Sequence, residues 1–421
     1  MLLNYANKIC CVVDNGLFVE TAVMLAKYFG KTYYFSPWVS SFPKSNDRQV
    51  GEGLPGVTRL NDYLDPEIID EVDLWVFPDI YYAGIQTHLE SLGKRVWGSR
   101  YGEELELLRR ETKEYLTKIG IDIGPYKVIR GIENLRAFLK NNDNQHVKIS
   151  TTRGDMETFH SINYKNIEPR LDELAHSLGK LKDHKEFIVE ESIDDAVESG
   201  YDGFTIDGQF PNVGVDGIEI KEKGYIAYCH PYAEMPREIT NPNTLMAETF
   251  KKYRYRNFYH SELRITKDKK SYLIDPCTRQ GSPPSEILLR MWSNWPDIMW
   301  FGAEGKLIEP EVAFKWGAQI LIHSGWSDSN WQAITFPKEI RDYIVLHNLT
   351  YLDGEYYVVP TSIGMTSIGS VVGMGNTMEE AVAQAKEHAE QVEGYYLDVF
   401  PDCLDEAQEA IDKLAKFGIK I

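Results

Sequence analysis

Residues His260–Arg279, HSELRITKDKKSYLIDPCTR, constrain the fold more than any other stretch of the chain. Two runs with period-two alternation flank a polar, lysine-rich turn, Lys267–Lys270, which is the pattern of an antiparallel hairpin. A turn centred on Asp268 and Lys269 places Leu263 opposite Ile274 and Ile265 opposite Tyr272, giving one apolar face. Glu262 then faces Asp275 on the other side. Carboxylates directly opposed in an antiparallel pair stand with Cβ atoms roughly 5 Å apart and repel each other. A hard divalent cation held by carboxylate oxygens is the natural compensation. The same alternation carries Cys277 and Arg279 onto that face, so a cation there would have a guanidinium beside it. Mg²⁺ next to arginine is equipment for phosphoryl transfer. The plainer reading is a solvated acidic hairpin with Arg264 and Arg279 as ordinary ion-pair partners, which contribute little.

The rest of the chain decides between these. Its 421 residues leave room for roughly two to four domains. At 43% hydrophobic residues it can bury substantial cores. A formal net charge of −19 argues against a nucleic-acid partner and against an anionic membrane surface, while leaving room for a local basic pocket. The cysteines, Cys10, Cys11, Cys229, Cys277 and Cys403, form no CxxC and are odd in number. A reducing, cytoplasmic compartment without a zinc site is the expectation. No apolar stretch approaches the ~18 residues of a membrane span, and MLLNYANKICCVVDNG lacks the basic start and cleavage pattern of a signal peptide.

The first hundred residues alternate strand and helix signals. Strands are expected at Lys8–Val13, Lys31–Phe35, Asp73–Phe77 and Arg95–Trp97, with helices through about Tyr28 and over Ile80–Leu92. This βαβ rhythm implies a parallel sheet covered by helices. DNGLFVET is not the GxGxxG fingerprint, so no nicotinamide site is assigned. Glu103–Ile119 reads as one charged amphipathic helix. A small α+β unit follows, roughly 122–190, with strands at Tyr126–Ile129, HVKIS and Glu186–Glu190 and helices at Ile132–Lys140 and Ile167–Leu178. From Tyr201 the pattern is antiparallel: DGFTIDGQF, Val213–Ile220 and GYIAYC precede the hairpin, and a helix at Ser285–Met291 follows it. After Phe336, EYYVVPTS and SIGMTSIGSVVGMG read as β-structure. Thr377 and Glu380 stand in capping-box spacing before a helix, and a last helix lies near Leu404–Lys416.

Lys148 sits in HVKIS with Val147 and Ile149 pointing the other way, and the loop TTRGDMET follows directly. A half-exposed strand explains the lysine alone. A polar glycine-bearing loop beside it suits folding over a triphosphate. It is not a Walker loop, since GxxxxGK[ST] is absent. Lys113 lies on the preceding helix, where pairing with Glu111 or Glu114 is the plain reading. FIVEES, Phe187–Ser192, runs from an apolar strand into Glu190 and Glu191, and Glu198 follows seven residues after Glu191.

This order of parts resembles the ATP-grasp superfamily, and among its members the phosphoribosylamine–glycine ligase type, over nearly the whole chain. The C-terminal GMGNTMEEAVAQAKEHAEQV is similar to the entry of that family's closing domain. The resemblance implies a mixed α/β and α+β architecture. Residues 1–98 would form an N-terminal Rossmann-like domain, 99–335 the two-part ATP-grasp with its lid at about 122–190, and 336–421 a β-rich closing domain. It implies ATP and Mg²⁺ as cofactors, with Glu262 and Asp275 as metal ligands. Lys113 and Lys148 would approach the phosphates, and Thr151–Thr158, including Thr151, Thr152 and Gly154, would cover them. Glu190, Glu191 and Ile193 would form the adenine hinge, Glu198 would meet the ribose, and Arg279 would stabilise the transferred phosphoryl group. Arg153 and Asp155 would meet the acyl acceptor or the γ-phosphate. Small-molecule carboxylate and amine substrates follow from the resemblance, and a homodimer is one assembly to expect.

Three departures stand out. The family's usual asparagine two residues after the second metal carboxylate is Cys277 here, and a neutral thiol is a poor Mg²⁺ ligand. Asp275 carrying more of the coordination, Glu286 substituting, or a degraded site are the alternatives. The glycine- and lysine-rich loop is replaced by TTRGDMET, and the ligase's substrate segment has no match. The sequence thus points to an ADP-forming carboxylate–amine (or thiol) ligase acting through an acylphosphate. A catalytically silent relative and, more distantly, a carbohydrate- or peptide-binding module stay open. MWSNWPDIMW and HSGWSDSNW are aromatic-rich, which at this density more often means core.

Overall fold

The structure, a computed structural model, describes residues 4–37, 49–149, 158–360 and 367–419. The N-terminal sheet is parallel, in the order Val57–Arg59, Lys31–Phe35, Ile9–Val13, Leu74–Val76, Arg95–Trp97. Its central strand is apolar along its whole length because helices cover both faces. Two elements here carry little sequence signal, the three-residue strand Val57–Arg59 and the helix Pro66–Glu71 capped by Asp65.

The expected helix Glu103–Ile119 is broken. Glu104–Leu107 and Arg109–Lys118 are separate segments joined at Leu108, whose φ/ψ of −96°/64° leave the helical region. Leucine gives no warning of a break. The reason is tertiary: Glu106 accepts from the Thr278 backbone N–H at 3.0 Å and from Arg279 Nε at 2.8 Å, which docks the first segment on the hairpin.

A four-stranded antiparallel sheet follows, ordered Tyr126–Arg130, Glu186–Glu191, Gln145–Ile149, Thr158–Ser161. Helices Ile132–Leu139 and Tyr164–Leu178 pack on one face through Leu135, Leu139, Leu171 and Leu174. The other face is left for Lys148 and Glu190.

The largest sheet has nine strands. Ser271–Cys277 lies at one edge, followed by Arg256–Thr266, Ala196–Ile206, Val213–Ile220, Gly224–Pro231, Trp316–His323, Ser367–Gly375 and Ile344–Leu346, with Asp398–Val399 paired to Trp316–His323. It runs unbroken across position 335. A small sheet of Leu349–Leu352, Glu355–Val358, Gln332–Thr335 and Glu393–Gly394 flanks it. Beneath the large sheet lies the seventeen-residue helix Arg237–Tyr253, which the sequence hides because Pro236 and Pro242 read as breakers. The aromatic run Met291–Trp300 is core: Trp292 and Trp295 are each 1% exposed. The Thr377–Glu380 capping box is present.

The hairpin pairs Glu262 with Asp275 as expected, but its register departs on the turn side. Leu263 faces Leu273, Arg264 faces Tyr272 and Ile265 faces Ser271, with a bulge beside Glu262. Ile274 is the extra residue on its strand. A bulge lets two residues oppose one and re-aims the next side chain. Here Leu263, Ile265 and Leu273 stay in the core while Asp275 keeps its place opposite Glu262.

Among the described residues no helix is long and apolar enough to cross a membrane.

Candidate active site

The pocket lies where the four-stranded sheet overhangs the nine-stranded one. Alternation puts Glu198, Gly200 and Asp202 of one strand on its floor, with Gly217 and Glu219, His260 and Glu262, and Asp275 and Cys277 from the neighbouring strands. Arg279, Glu106 and the Gly281–Pro284 segment form its far wall.

Lys148 joins the two sheets. Its Nζ lies 3.2 Å from Asp275 Oδ2, 3.3 Å from Glu190 Oε2 and 3.1 Å from the Ile274 carbonyl. Burial would lower its affinity for a proton, but Asp275, then Glu190 and Glu262, outweigh burial and hold it above the ordinary lysine value. Asp275 answers in kind. Burial alone would raise it, and Lys148 followed by Arg109 brings it down to about 2. Lys113 pairs with the other oxygen of Glu190 and lies 5.5 Å from the Tyr126 ring centroid. Lys113, Glu190, Lys148, Asp275 and Glu262 therefore occupy one site.

Glu262 is different. Burial first, and then the Glu198 carboxylate, raise its pKa against the pull of Lys221 and Lys148. It is a carboxylate with too little positive charge around it. Glu198 lines the same pocket, but both its oxygens are engaged, by Lys221 at 2.9 Å and Arg264 at 2.6 Å. Arg279 sits on the far wall, tied to Glu106. Burial lowers its pKa, yet Cys277 and Glu106 more than compensate.

Glu191 lies at the strand end and is exposed, and Ile193 packs near Gly124. Thr151, Thr152, Arg153, Gly154 and Asp155 lie outside the described residues. Glu286 does not replace the missing asparagine. It is buried against the C-terminal strands, bonded to His347 at 3.0 Å, Ser370 at 2.5 Å, Gln319 at 2.5 Å and Ser282 at 2.7 Å.

No protein-family model and no curated protein sequence matches this chain. Solved structures do. Phosphoribosylamine–glycine ligase of Thermotoga maritima superposes with a TM-score of 0.67 at 18% identity, over 94% of this chain and 99% of its own. The biotin carboxylase domain of Hydrogenobacter thermophilus 2-oxoglutarate carboxylase is a dimer, determined with MgADP, ADP and bicarbonate. It gives 0.65 at 13% identity, over 98% and 96%. N5-carboxyaminoimidazole ribonucleotide synthetase of Thermotoga maritima gives 0.57 at 14%, over 92% and 99%. The chain has the ATP-grasp fold. At these identities the likeness establishes architecture, and the reaction has to be argued from the residues.

In this pocket the donors would suit Mg²⁺. Magnesium is typically held by one or two carboxylates plus substrate phosphates and water, so a facing pair suffices. Among the described residues no cluster of three or more His, Cys, Asp or Glu is built to hold a metal alone. Glu262, raised as it is, would be relieved by a divalent cation.

Two basic residues at the site, Arg109 and Lys221, carry weak sequence signals. Arg109 donates to the Ile149 carbonyl at 2.6 Å and precedes Lys113 by one helical turn, a spacing that puts them on one face. Lys221 binds Glu219 at 2.8 Å and approaches Glu262 at 3.8 Å. Its one hint is Glu219, two residues earlier.

Proposed function

We propose that this protein is an ATP-dependent carboxylate–amine (or thiol) ligase that releases ADP and phosphate. The observation that carries the reading is the Glu262–Asp275 pair, facing in register beneath Lys148 in a cleft walled by Arg279. When bound, MgATP would supply a phosphoryl group for attack by a substrate carboxylate, and an amine would displace phosphate from the resulting acylphosphate. The chain's part is electrostatic. Glu262 and Asp275 hold the metal, Lys113 and Lys148 turn from Glu190 and Asp275 toward phosphate oxygens, and Arg279 neutralises charge on the group in transfer. Glu190, Glu191 and Ile193 hold the base. Glu198 meets the ribose through lone pairs its two cations leave free. Thr151, Thr152, Arg153 and Gly154 cover the phosphates. The division at 1–98, 99–335 and 336–421, in which the last two units share the nine-stranded sheet, a cytoplasmic setting and a homodimer belong to the same proposal. The test is ADP release across a panel of carboxylates and amines, with wild type beside Asp275→Asn. The variant should still bind nucleotide and release no ADP; equal turnover in both removes the metal assignment.

Cys277, standing where a neutral oxygen donor would complete the magnesium shell, supports a second reading. The chain would then bind nucleotide without turning it over. MgADP binding with no ADP formed from MgATP across the whole panel would favour it.

A further inference from the structure

One polar network in the pocket has no part in the reaction proposed above. Tyr225, Asp202 and His260 come from three strands of the nine-stranded sheet and are buried, at 4%, 8% and 5% exposure. Tyr225 donates its hydroxyl to Asp202 Oδ2, and Asp202 Oδ1 lies 2.7 Å from His260 Nδ1. Nε2 of His260 lies 3.0 Å from the Gly281 backbone nitrogen and 3.1 Å from Ser285 Oγ. A backbone N–H can only donate, so Nε2 is the acceptor and the ring proton sits on Nδ1, facing Asp202. The order Ser–His–Asp suggests nucleophilic catalysis. Ser285 is 0% exposed, however, so no substrate reaches it. The network is a brace.

What it braces is the segment that carries Arg279. Thr278 and Arg279 are bonded to Glu106, Gln280 donates to the Pro78 carbonyl at 2.8 Å, and Ser282 donates to Glu286 at 2.7 Å. Gly281 is tied to His260 and Ser285. Of these anchors, His260 shares a strand with Glu262, and in the register Cys277 lies opposite it just as Asp275 lies opposite Glu262. The contact fits closely: a Cβ on Gly281 would stand 2.9 Å from the imidazole. Gly217 plays the matching part at the other end, since a side chain there would occupy the position of the Tyr225 hydroxyl.

We infer that His260, oriented by Asp202 and Tyr225, is a positioning residue that sets the distance from the Glu262–Asp275 pair to the Arg279 guanidinium. It acts through the Gly281 backbone N–H and touches no reacting atom. The inference rests on the ligase reading, in which Arg279 meets the phosphoryl group during transfer. Its consequence is selective: loss of the brace weakens recognition of the transition state and spares the ground state. A displacement of Arg279 by about an ångström can cost on the order of a hundredfold.

The test compares binding of MgADP with binding of MgADP plus aluminium fluoride, a mimic of the phosphoryl group in flight. Wild type, His260→Ala, His260→Gln and Arg279→Met are titrated side by side. His260→Ala should bind MgADP within about twofold of wild type and bind the fluoroaluminate complex roughly 10- to 100-fold more weakly, as Arg279→Met does. Glutamine can place an amide oxygen near the Nε2 position, so His260→Gln should recover most of the loss. Equal weakening of both ligands in His260→Ala, or of neither, overturns the inference. Should His260→Ala fail to fold, a folded His260→Gln without tighter fluoroaluminate binding than Arg279→Met overturns it too. Wild type that binds no MgADP removes the ligase reading itself.

Discussion

Replacing Lys148 with methionine takes away the cation that spans the two sheets while keeping much of its volume. The cost can be worked from Asp275. That carboxylate is held at about 2 instead of 3.8, by Lys148 first and Arg109 second, against a burial effect that would raise it. A difference of that size corresponds to about 2 kcal/mol of folded-state stability at neutral pH. The Asp275 side chain is 30% exposed, so solvent screening trims the figure, and Arg109 keeps a share after Lys148 is gone. An expected loss of about 1 kcal/mol lowers the Tm of a chain this long by roughly 1 °C. The pH dependence follows from the sign. The folded value lies below the unfolded one, so the stabilisation is complete above 3.8 and is lost as pH falls through about 2. The gap between wild type and Lys148→Met should be constant from about pH 5 to 8 and close below that range. In the same variant the affinity for MgATP, measured by calorimetry, should drop roughly 10- to 100-fold, the worth of a hydrogen bond between charged groups. Wild-type affinity in the variant would refute the placement of Lys148 on the phosphates. A Tm gap that stays constant down to pH 2.5 would refute the electrostatic account of its role in stability.

Cys277 is half-buried while the four other cysteines are buried. A maleimide probe should therefore label one thiol per native chain, at Cys277, and bound MgADP should slow labelling at least severalfold; labelling that nucleotide leaves unchanged would place the ligand elsewhere. In Gly217→Ala the added methyl group would take the position of the Tyr225 hydroxyl, so it should displace that hydroxyl from Asp202 and weaken fluoroaluminate binding in the same direction as His260→Ala. Wild-type behaviour in a folded Gly217→Ala protein would detach Tyr225 from the brace.

Much of the scaffold is legible from local pattern. Lys31–Phe35, Arg95–Trp97 and Val213–Ile220 are short apolar or alternating runs ended by turn residues, and their bounds in the structure are those expected. The Glu262–Asp275 pairing was legible for the same reason. The register beyond it was not, because the bulge consists of an isoleucine indistinguishable from its neighbours. Helix Arg237–Tyr253 is masked by its own prolines, and the break at Leu108 answers to Glu106 reaching Thr278, just past a strand and more than 170 residues away. Lys148 and Lys113 both pair with Glu190, a meeting of three elements that no single run of sequence displays. Lys221 left only the hint of Glu219, and the His260 brace was invisible because it is assembled across strands: Tyr225 and His260 stand 23 and 58 residues from the Asp202 they share. No periodicity of a single element encodes such a contact.

The nine-stranded sheet also sets a clock on synthesis. Trp316–His323 pairs on one side with Gly224–Pro231, made long before it, and on the other with Ser367–Gly375, which leaves the ribosome more than forty residues later. At about 5–20 residues per second this amounts to a few seconds. For that interval an apolar strand with Ala318, Ile320 and Ile322 in its interior shows an open backbone edge, the kind of surface that recruits other chains. The strand that ends the exposure is rich in glycine and valine and is buried along nearly its whole length. Yield of this protein in a cell should therefore depend on how quickly residues 324–375 are delivered, a matter of codon choice and chaperone supply more than of final stability.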